Sequence, residues 1–360
     1  MVYDSFGGQS RGFHTEQERL VRIYAVIDQG RRREMEDGCA IATGLPSGVS
    51  LVGVFDGHGG DDAARYCSSN LFKLLVRDER FEKGEFRESL HSVFLSTDEG
   101  FAGHGSTSSG TTAVVALVKE GRFFVAHAGD SYCSLVKNKQ MIHLTKDHVP
   151  SNLDEADRAR KSKCVVHDGV VSKDGSLSTL AVTRAIGDFE FKDNPKKSRE
   201  EQAVVADPEI LEQEICDGCE FLILASDGLE RKYVESCREE ISKALKEKNF
   251  EALKEIVARA QSNDNKTMVI VEFLKQDDRK KRDATSRDSD HDLGSDLRSK
   301  NGDGYDRRRE NHRGDDRRRK DNRDYDRKRG RDHRWHPDYD QRRRGYDRRR
   351  SRTPERRSKR

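Results

Sequence analysis

The chain has 360 residues and a formal net charge of +3 at pH 7; 38% of its residues are charged and only 32% are hydrophobic. This composition excludes a wholly globular chain, and the longest apolar runs, such as residues 221–225, are too short to cross a membrane, so no membrane partner is expected. Residues 275–360 contain 33 Lys and Arg against 20 Asp and Glu, which leaves residues 1–274 at −10. We therefore expect an N-terminal extension over 1–21, a folded domain over 22–274 and, beyond it, a disordered Arg/Asp-rich tail.

The seven cysteines favour a reducing compartment, because they are odd in number and follow no disulfide-like spacing. The N-terminus carries no apolar segment of signal-peptide length, so a soluble, intracellular protein is expected. The one close pair lies in Cys216-Asp217-Gly218-Cys219, where no second pair completes a zinc site. We interpret this segment as a turn that carries two incidental thiols.

Hydrophobic periodicity predicts that short strands and two helices come first in the domain. The strands cover residues 22–28, 39–42 and 51–55, and the helices cover residues 61–76 and 85–99. A glycine- and serine-rich loop over 103–110 then opens a region of antiparallel strands joined by short turns. These strands cover residues 111–118, 122–128, 131–136, 141–144, 209–215, 221–225 and 266–273, with helices over 234–247 and 251–261. Residues 146–173 are polar and irregular, and their pattern predicts no element.

Four loops at the ends of these elements carry aspartate beside glycine or asparagine. They are Asp56-Gly57, Gly129-Asp130, Asp227-Gly228 and Asp264-Asn265, and the acidic pair Glu36-Asp37 lies just before a strand. One Asp-Gly is usually a turn, but carboxylates that converge repel each other and are tolerated where a cation neutralises them. Oxygen ligands select Mg²⁺ or Mn²⁺, and two such ions activate a shared water for attack on a phosphoryl group. The spacing alone leaves two interpretations open, separate turns and a metal site.

Eight motifs occur in order along the domain. They are Arg32-x-x-Met35-Glu36-Asp37, Val54-Phe55-Asp56-Gly57-His58-Gly59-Gly60, Gly110-Thr111-Thr112-Ala113, Ala128-Gly129-Asp130-Ser131, Leu144-Thr145-Lys146-Asp147-His148, Leu180-Ala181-Val182-Thr183-Arg184-Ala185-Ile186-Gly187-Asp188, Ala225-Ser226-Asp227-Gly228 and Asp264-Asn265-Lys266-Thr267. This set resembles the motifs of the PP2C (PPM) family of metal-dependent Ser/Thr protein phosphatases over about residues 22–273. The resemblance implies an α+β fold, an α-β-β-α sandwich of two antiparallel sheets flanked by helices, with the metals at one edge of the sheets.

The resemblance also implies a role for each site residue. Two Mn²⁺ or Mg²⁺ ions would be held by Glu36, Asp56, the Gly57 carbonyl, Asp227 and Asp264, with Asp56 bridging them. Asp37 would orient the water ligands of the ions. Arg32 would bind the phosphate through its planar guanidinium, and His58 would be the general acid that protonates the departing Ser or Thr oxygen.

The chain departs from the family pattern in two places. Arg231 stands where the family commonly has an aspartate that, together with the one matching Asp130, is associated with a weaker third metal. Two ions are therefore expected, and Asp130 is either a ligand of a third ion or a structural residue. Residues 146–175, where the family has a flap beside the active site, also differ, so substrate specificity does not transfer from a relative.

The tail over 275–360 is low in aliphatic residues and repeats a Tyr-Asp-Arg unit, as in Tyr305-Asp306-Arg307 and Tyr346-Asp347-Arg348. Such a segment buries too little apolar area to offset chain entropy and is expected to be disordered. It is either a solvated linker or an RS-like segment that directs the protein to the nucleus and binds RNA or ribonucleoprotein, since arginines interleaved with aromatic residues suit phosphate contact and base stacking.

The sequence thus predicts a metal-dependent protein serine/threonine phosphatase, nuclear and monomeric, whose partners are phosphoproteins. The alternative is a catalytically weak or idle phosphatase-fold binding protein that tethers RNA or ribonucleoprotein partners through the tail. The complete acidic set favours the enzyme, whereas Arg231 and the altered flap leave room for the alternative.

Overall fold

The structure is a computed structural model. It describes the backbone of residues 2–5 and 11–15, and residues 21–45, 48–104, 108–119, 121–173 and 177–274 in full. The predicted basic tail lies outside the described residues. Within the described ranges, no helix combines the length and the apolar character that crossing a membrane requires.

Strands β1 to β18 are, in chain order, Val2–Ser5, Arg11–Thr15, Val21–Asp28, Gly38–Ala42, Ser50–Phe55, Gly57–His58, Gly110–Thr111, Ala113–Lys119, Arg122–Ala128, Tyr132–Lys137, Gln140–His143, Cys164–His167, Val170–Lys173, Thr179–Leu180, Ile186–Gly187, Glu209–Glu214, Cys219–Ala225 and Lys266–Phe273. Helices α1 to α7 are Asp62–Leu75, Glu79–Lys83, Phe86–Ala102, Leu153–Lys161, Arg231–Ser236, Arg238–Glu247 and Phe250–Ala258.

Two antiparallel six-stranded sheets form the centre of the fold. One sheet has the strand order β1-β4-β5-β8-β9-β16, and the other has the order β11-β10-β17-β18-β3-β2. Short turns between β8 and β9 and between β10 and β11 explain the antiparallel pairing there, because a parallel pair requires a long crossover. Two smaller sheets, β12-β13-β14 and β15-β7-β6, complete the strands.

Central strands of the two sheets, such as β5, β8 and β17, are buried on both faces, and the alternation of side chains along a strand decides which layer each residue joins. On β8, Ala113, Val115 and Leu117 pack toward the helices of the first sheet. Their neighbours Val114 and Ala116 pack between the two sheets. Because both faces are covered, these strands are continuous apolar runs and lack a polar face.

Helices cover the outer face of each sheet. Leu71 of α1 and Leu90 of α3 join the outer core of the first sheet, and Ile241 of α6 and Leu253 of α7 join that of the second sheet. The predicted α-β-β-α sandwich is confirmed, since the layers follow the order helices, sheet, sheet, helices. Its two sheets bring strand ends to a common edge.

The structure extends the sequence analysis at three places. The proposed extension over 1–21 supplies two edge strands, since β1 pairs with β4 and β2 pairs with β3. The polar segment over 146–173 contains α4, β12 and β13. The single helix predicted over 234–247 is two helices, α5 and α6, which meet at Cys237.

Candidate active site and metal centre

The acidic loops lie together because of how four strands pair. Gly38 at the start of β4 pairs with Phe55 at the end of β5, which places Asp37 and Asp56 at one edge of the first sheet. In the second sheet the end of β17 pairs with the start of β18, through Ala225 and Met268. That pairing brings Asp227, which follows β17, close to Asp264, which precedes β18. All the carboxylates predicted to hold metal come from these strand ends.

The Asn265 side chain fixes the loop between β3 and β4 against the start of β18. Its amide nitrogen donates to the carbonyls of Gln29, at 2.8 Å, and Glu34, at 3.1 Å. Its amide oxygen accepts from the backbone nitrogen of Glu36 at 2.8 Å. Glu36 is therefore positioned by a residue more than two hundred positions away in the sequence.

Asp37 links the two strand ends of the second sheet. It is buried, and its Oδ2 accepts from Ser226 Oγ and Thr267 Oγ1, both at 2.8 Å. Burial raises the pKa of Asp37 to about 6, although these two hydroxyl groups act in the opposite direction. Its Oδ2 is thus engaged by hydroxyl groups, and its role in orienting the water ligands of the ions stays a prediction.

The other carboxylates at this edge raise one another's pKa. Burial and the charges of Asp37, Asp227 and Asp130 raise the pKa of Asp56 well above its usual range. Burial and the charge of Asp227 raise the pKa of Asp130 to about 7, and burial together with Asp264 raises that of Asp227. Like charges held this close together repel one another. A divalent cation relieves this repulsion at neutral pH, and carboxylate oxygens are its preferred ligands.

Arg32 lies at the rim of the acidic group and contacts it directly. Its Nη2 is 2.6 Å from Oδ2 of Asp264, while about half of its side chain stays exposed. The charges of Asp264, Glu36 and Asp56 raise the pKa of the Arg32 guanidinium. The residue predicted to bind phosphate is thus within reach of the residues predicted to bind metal, and it partly neutralises them.

Gly57 is a place of close backbone approach. A Cβ built on Gly57 would lie 2.4 Å from the backbone oxygen of Glu36 and 3.2 Å from Cβ of Ala64. Any side chain would push these segments apart. Glu36 also accepts, at Oε1, a hydrogen bond of 3.1 Å from the backbone nitrogen of Gly60. The glycines after Asp56 thus hold the loop against Glu36.

His58 is paired with a residue to which the sequence analysis gave no role. Its Nε2 lies 2.8 Å from Oδ2 of Asp188, a buried residue with left-handed backbone (φ +52°). Burial by itself lowers the pKa of His58, but the charges of Asp188, Asp130 and Glu36 outweigh it, so the pKa is raised. A signal for Asp188 was present in the sequence, since Gly187-Asp188 repeats the glycine-aspartate pattern of the other loops.

Arg231 places a fixed positive charge on the Asp130 side of the acidic group. Its Nη2 forms an ion pair with Oδ1 of Asp147, and its guanidinium carbon lies 4.3 Å from the centre of the Tyr132 ring. Asp147 in turn is one of the charges that raise the pKa of Asp130 and Asp227. Among the described residues, Nη1 of Arg231 is buried without a hydrogen-bond partner.

A second group of potential metal ligands lies next to Asp130 in the fold. It consists of His127, His148 and Glu209, whose ligand atoms lie within 4.8 Å of one another. The two imidazoles are stacked, with centres 4.5 Å apart. His127 Nε2 donates to the Lys146 carbonyl at 3.0 Å, and His148 Nδ1 accepts from the Gly129 nitrogen at 3.2 Å. That second bond leaves the His148 proton on Nε2, 3.5 Å from Glu209. Backbone groups thus engage His127 Nε2 and His148 Nδ1, whereas His148 Nε2 is buried without a hydrogen-bond partner among the described residues. We interpret this group as structural, because one nitrogen of each imidazole already serves a backbone contact.

The acidic edge fits divalent cations on the chemistry of its donors. It offers several carboxylates that converge and repel each other, most of them half-buried, and Arg32 partly neutralises them. A planar guanidinium at the rim suits phosphate oxygens, and an imidazole with a raised pKa suits proton donation. A sandwich with such an edge defines the class of metal-dependent phosphoester hydrolases.

Comparisons with known proteins identify the family. The sequence profile of the family described as "Protein phosphatase 2C" matches residues 25–265. The chain is similar to "Probable protein phosphatase 2C 21" of Arabidopsis thaliana, with 31% identity over 307 aligned positions that cover 69% of this chain and 85% of the relative. It is also similar to "Protein phosphatase 2C homolog 2" of Aspergillus fumigatus, with 38% identity over 184 positions, 50% of this chain and 42% of the relative.

Solved structures show the same fold. A phosphatase from Toxoplasma gondii aligns with a TM-score of 0.61 at 24% identity, covering 74% of this chain and 96% of that one. A serine-threonine phosphatase 2C from the same organism aligns with a TM-score of 0.58 at 20% identity, covering 74% of this chain and 100% of that one. The chain therefore belongs to the protein phosphatase 2C family of metal-dependent protein serine/threonine phosphatases, as the motifs predicted.

Proposed function

We propose that this chain hydrolyses phosphoserine and phosphothreonine with two Mn²⁺ or Mg²⁺ ions. The proposed ligands are Glu36, Asp56, the Gly57 carbonyl, Asp227 and Asp264. The observation that carries the proposal is the convergence of carboxylates around the half-buried Asp56, whose mutual repulsion is relieved by cations. Asp37 supports this set through its hydroxyl partners.

The residues around the ions divide the remaining tasks. When bound, the ions supply an activated water nucleophile and neutralise charge on the phosphoryl group. Arg32 binds two phosphate oxygens with its guanidinium, which already pairs with an anionic oxygen of Asp264 through Nη2. His58 donates a proton to the departing Ser or Thr oxygen, and Asp188 holds the imidazole and keeps it protonated.

The metal requirement is tested with the purified full chain and an aryl phosphate. Hydrolysis is expected only with added Mn²⁺ or Mg²⁺. Asp56→Asn is expected to lower kcat by more than the ~10–100-fold that losing an outer partner of a metal ligand costs. Asp157→Asn, at an exposed ion pair with Arg160, is the matched control and should leave activity unchanged. Turnover that survives both EDTA and Asp56→Asn would refute the mechanism.

A second readout of the same centre does not depend on catalysis. In EDTA, Asp56→Asn should unfold at a higher temperature than the wild type, because it removes one of several mutually repelling charges. Added Mn²⁺ should then stabilise the wild type more than the variant. A variant that gains as much from Mn²⁺ as the wild type shows that Asp56 is not a ligand.

The role of His58 is tested by varying the leaving group. p-Nitrophenolate leaves without a proton, whereas a serine alkoxide requires one. His58→Ala is therefore expected to lose roughly 10²–10⁴-fold in kcat on a phosphoserine peptide and far less on p-nitrophenyl phosphate. Equal losses on both substrates would instead assign His58 to substrate binding or to the structure of the loop.

We also propose that the chain binds two ions and not three, because Arg231 stands where the family commonly has an aspartate and pairs with Asp147, whose charge acts on Asp130. Asp130 then serves as a structural carboxylate. A calorimetric titration with Mn²⁺ should find two sites in the wild type and a third, weaker one in Arg231→Asp. Three sites in the wild type would contradict the proposal.

The idle binding protein remains the second candidate, and Arg231 beside the acidic group is the observation that favours it. Its signature is the absence of turnover on a phosphopeptide library with Mn²⁺ or Mg²⁺, combined with retained binding of RNA. Turnover of any phosphopeptide above the Asp56→Asn background decides in favour of the enzyme.

For the tail over 275–360, we propose nuclear targeting and binding of RNA or ribonucleoprotein. The proposal rests on its positive charge, since it contains 33 basic and 20 acidic residues. The full chain should bind single-stranded RNA with an affinity that falls steeply with salt, whereas a chain ending at residue 274 should not. Equal RNA binding by the full chain and by the chain ending at residue 274 would refute a role of the tail in RNA binding. We further propose that the protein acts as a monomer on phosphoproteins, which sedimentation can verify.

A further inference from the structure

The turn between β16 and β17 brings two cysteine side chains together. The backbone nitrogen of Cys219 donates to the carbonyl of Cys216 at 3.1 Å, which closes a four-residue β-turn. Gly218 has a φ of +87°, as the third residue of a type II turn requires. The two Sγ atoms are 3.6 Å apart, so the sulfurs are in contact.

The neighbouring hairpin holds this turn in place. The backbone nitrogen of Asn138, between β10 and β11, donates to the carbonyl of Gly218 at 2.9 Å. A Cβ on Gly218 would lie 2.1 Å from Oδ1 of Asn138, so the side chain of Asn138 packs directly on the turn. A β-turn keeps its first and last Cα atoms within about 7 Å, which overlaps the range of about 4.4–6.8 Å that a disulfide bridges. A bond between the sulfurs therefore requires little movement of either strand.

The two thiols differ in reactivity. Cys216 is exposed. Its pKa is lowered mainly by a hydrogen bond from the Lys137 side chain and, to a smaller extent, by one from Cys219. Cys219 is partly buried, and burial raises its pKa. A thiolate is the nucleophilic form of cysteine, so Cys216 is suited to attack first and Cys219 to follow. The pair contrasts with Cys133, which is buried with a raised pKa.

We propose that Cys216 and Cys219 form an oxidisable dithiol that hydroperoxides convert to an intramolecular disulfide. The Cys216 thiolate attacks a peroxide oxygen, the O–O bond breaks, and the leaving oxide takes a proton to become water or an alcohol. The sulfur of Cys219 then attacks the Cys216 sulfenic acid, an S–S bond forms as the S–O bond breaks, and a water leaves with the thiol proton. The two sulfurs supply the two electrons that reduce the peroxide, and a dithiol reductant restores them.

The disulfide forms at the far end of β17 from Asp227, since Cys219 begins the strand and Asp227 follows its end. The strand itself is paired on both sides, with β10 and β18. The site is therefore independent of the proposed metal chemistry, and its test does not depend on phosphatase activity.

The test uses the full chain, hydrogen peroxide as the probe, and peptide mass mapping. One equivalent of peroxide should lower the mass of the peptide containing residues 216–219 by two hydrogens, reversibly with dithiothreitol. Cys219→Ser should instead accumulate a dimedone-reactive sulfenic acid on Cys216, and Cys216→Ser should abolish the reaction. Cys164→Ser, at a partly buried thiol elsewhere, is the control and should react as the wild type does.

The contribution of Lys137 is tested in the same system. Lys137→Met should move the midpoint of the pH profile for Cys216 alkylation upward, because the thiolate loses its cationic partner. Four outcomes overturn the proposal. They are a disulfide that joins another cysteine, direct overoxidation of Cys216 in the wild type, no sulfenic acid in Cys219→Ser, and an unchanged rate in Cys216→Ser.

Discussion

The buried carboxylate of Glu155 on α4 is predicted to be a main stabiliser of the segment that follows β11. Its Oε1 accepts from Arg184 Nε at 3.0 Å and Nη2 at 2.8 Å. Its Oε2 accepts from Thr183 Oγ1 at 2.8 Å and pairs with Arg158 Nη2 at 2.6 Å. Glu155→Gln keeps the shape of the side chain but replaces one acceptor oxygen by a donor. It leaves the largely buried guanidinium of Arg158 without the Glu155 charge and that of Arg184 with only the Asp207 carboxylate, 3.8 Å away.

The expected cost follows from that loss. Removing one partner of a buried ion pair costs about 3–5 kcal/mol. Arg158 keeps a bond to the Gln202 carbonyl and Arg184 keeps one to the Asp207 carbonyl, so we expect the lower end, about 3 kcal/mol. Glu251→Gln is the control, since its pair with Lys254 is exposed and is worth less than about 1 kcal/mol.

The assay is urea unfolding of the full chain in EDTA, followed by circular dichroism, because the single tryptophan, Trp335, lies in the tail. The difference between wild type and Glu155→Gln should also depend on pH. Burial alone would raise the pKa of Glu155, but Arg158 and Arg184 lower it to about 2. The stabilisation is therefore complete above the unfolded pKa of about 4.3 and is lost as the pH falls towards 2. A difference below about 1 kcal/mol at pH 7, or one that persists at pH 2, would refute the reasoning.

Two further predictions concern the active edge. Gly57→Ala should weaken Mn²⁺ binding, measured by calorimetry, because its Cβ would clash with the Glu36 carbonyl. Gly103→Ala is the control and should bind Mn²⁺ as the wild type does, because the nearest atom to its Cβ is 3.7 Å away. Equal affinity of the two variants for Mn²⁺ would contradict the steric argument. Asp188→Asn should move the alkaline limb of the kcat/KM profile on a phosphopeptide to lower pH, because the carboxylate raises the pKa of His58 and a general acid works only while protonated. An unmoved limb would show that another group sets it.

Much of the fold could be predicted because strand periodicity and turn residues are local signals. The continuous apolar run of β8 is visible in the sequence, and so are the Asp-Gly ends of β5 and β17. The edge strands β1 and β2 were not predicted from the sequence. Each is short and pairs with a neighbour on one side only, so a strongly apolar or periodic sequence is not required there. Helix α4 was not predicted either, because its sequence is strongly polar and few of its residues are buried, so it lacks a clear apolar face.

The site was predictable in its ligand types but not in its supporting contacts. Asp56 and Asp227 carry a local glycine signal, whereas Asn265 acts through a contact with Glu36 that spans 229 positions in the sequence. No local pattern announces such a contact. The same holds for Asp37, whose partners Ser226 and Thr267 are 189 and 230 positions away.

The pairing of β3 with β18 has a consequence for how the protein is made. During synthesis, β3 (Val21–Asp28) cannot form its hydrogen bonds with β18 until Lys266–Phe273 has been synthesised, because these two strands are neighbours in the sheet. Until then β3 exposes an apolar edge, and contacts this distant in sequence form slowly. Asp264 and the Thr267 hydroxyl are synthesised together with β18. Before that point a nascent chain exposes an apolar strand edge and lacks the proposed metal ligand Asp264, so we expect phosphatase activity to begin only when β18 joins the sheet.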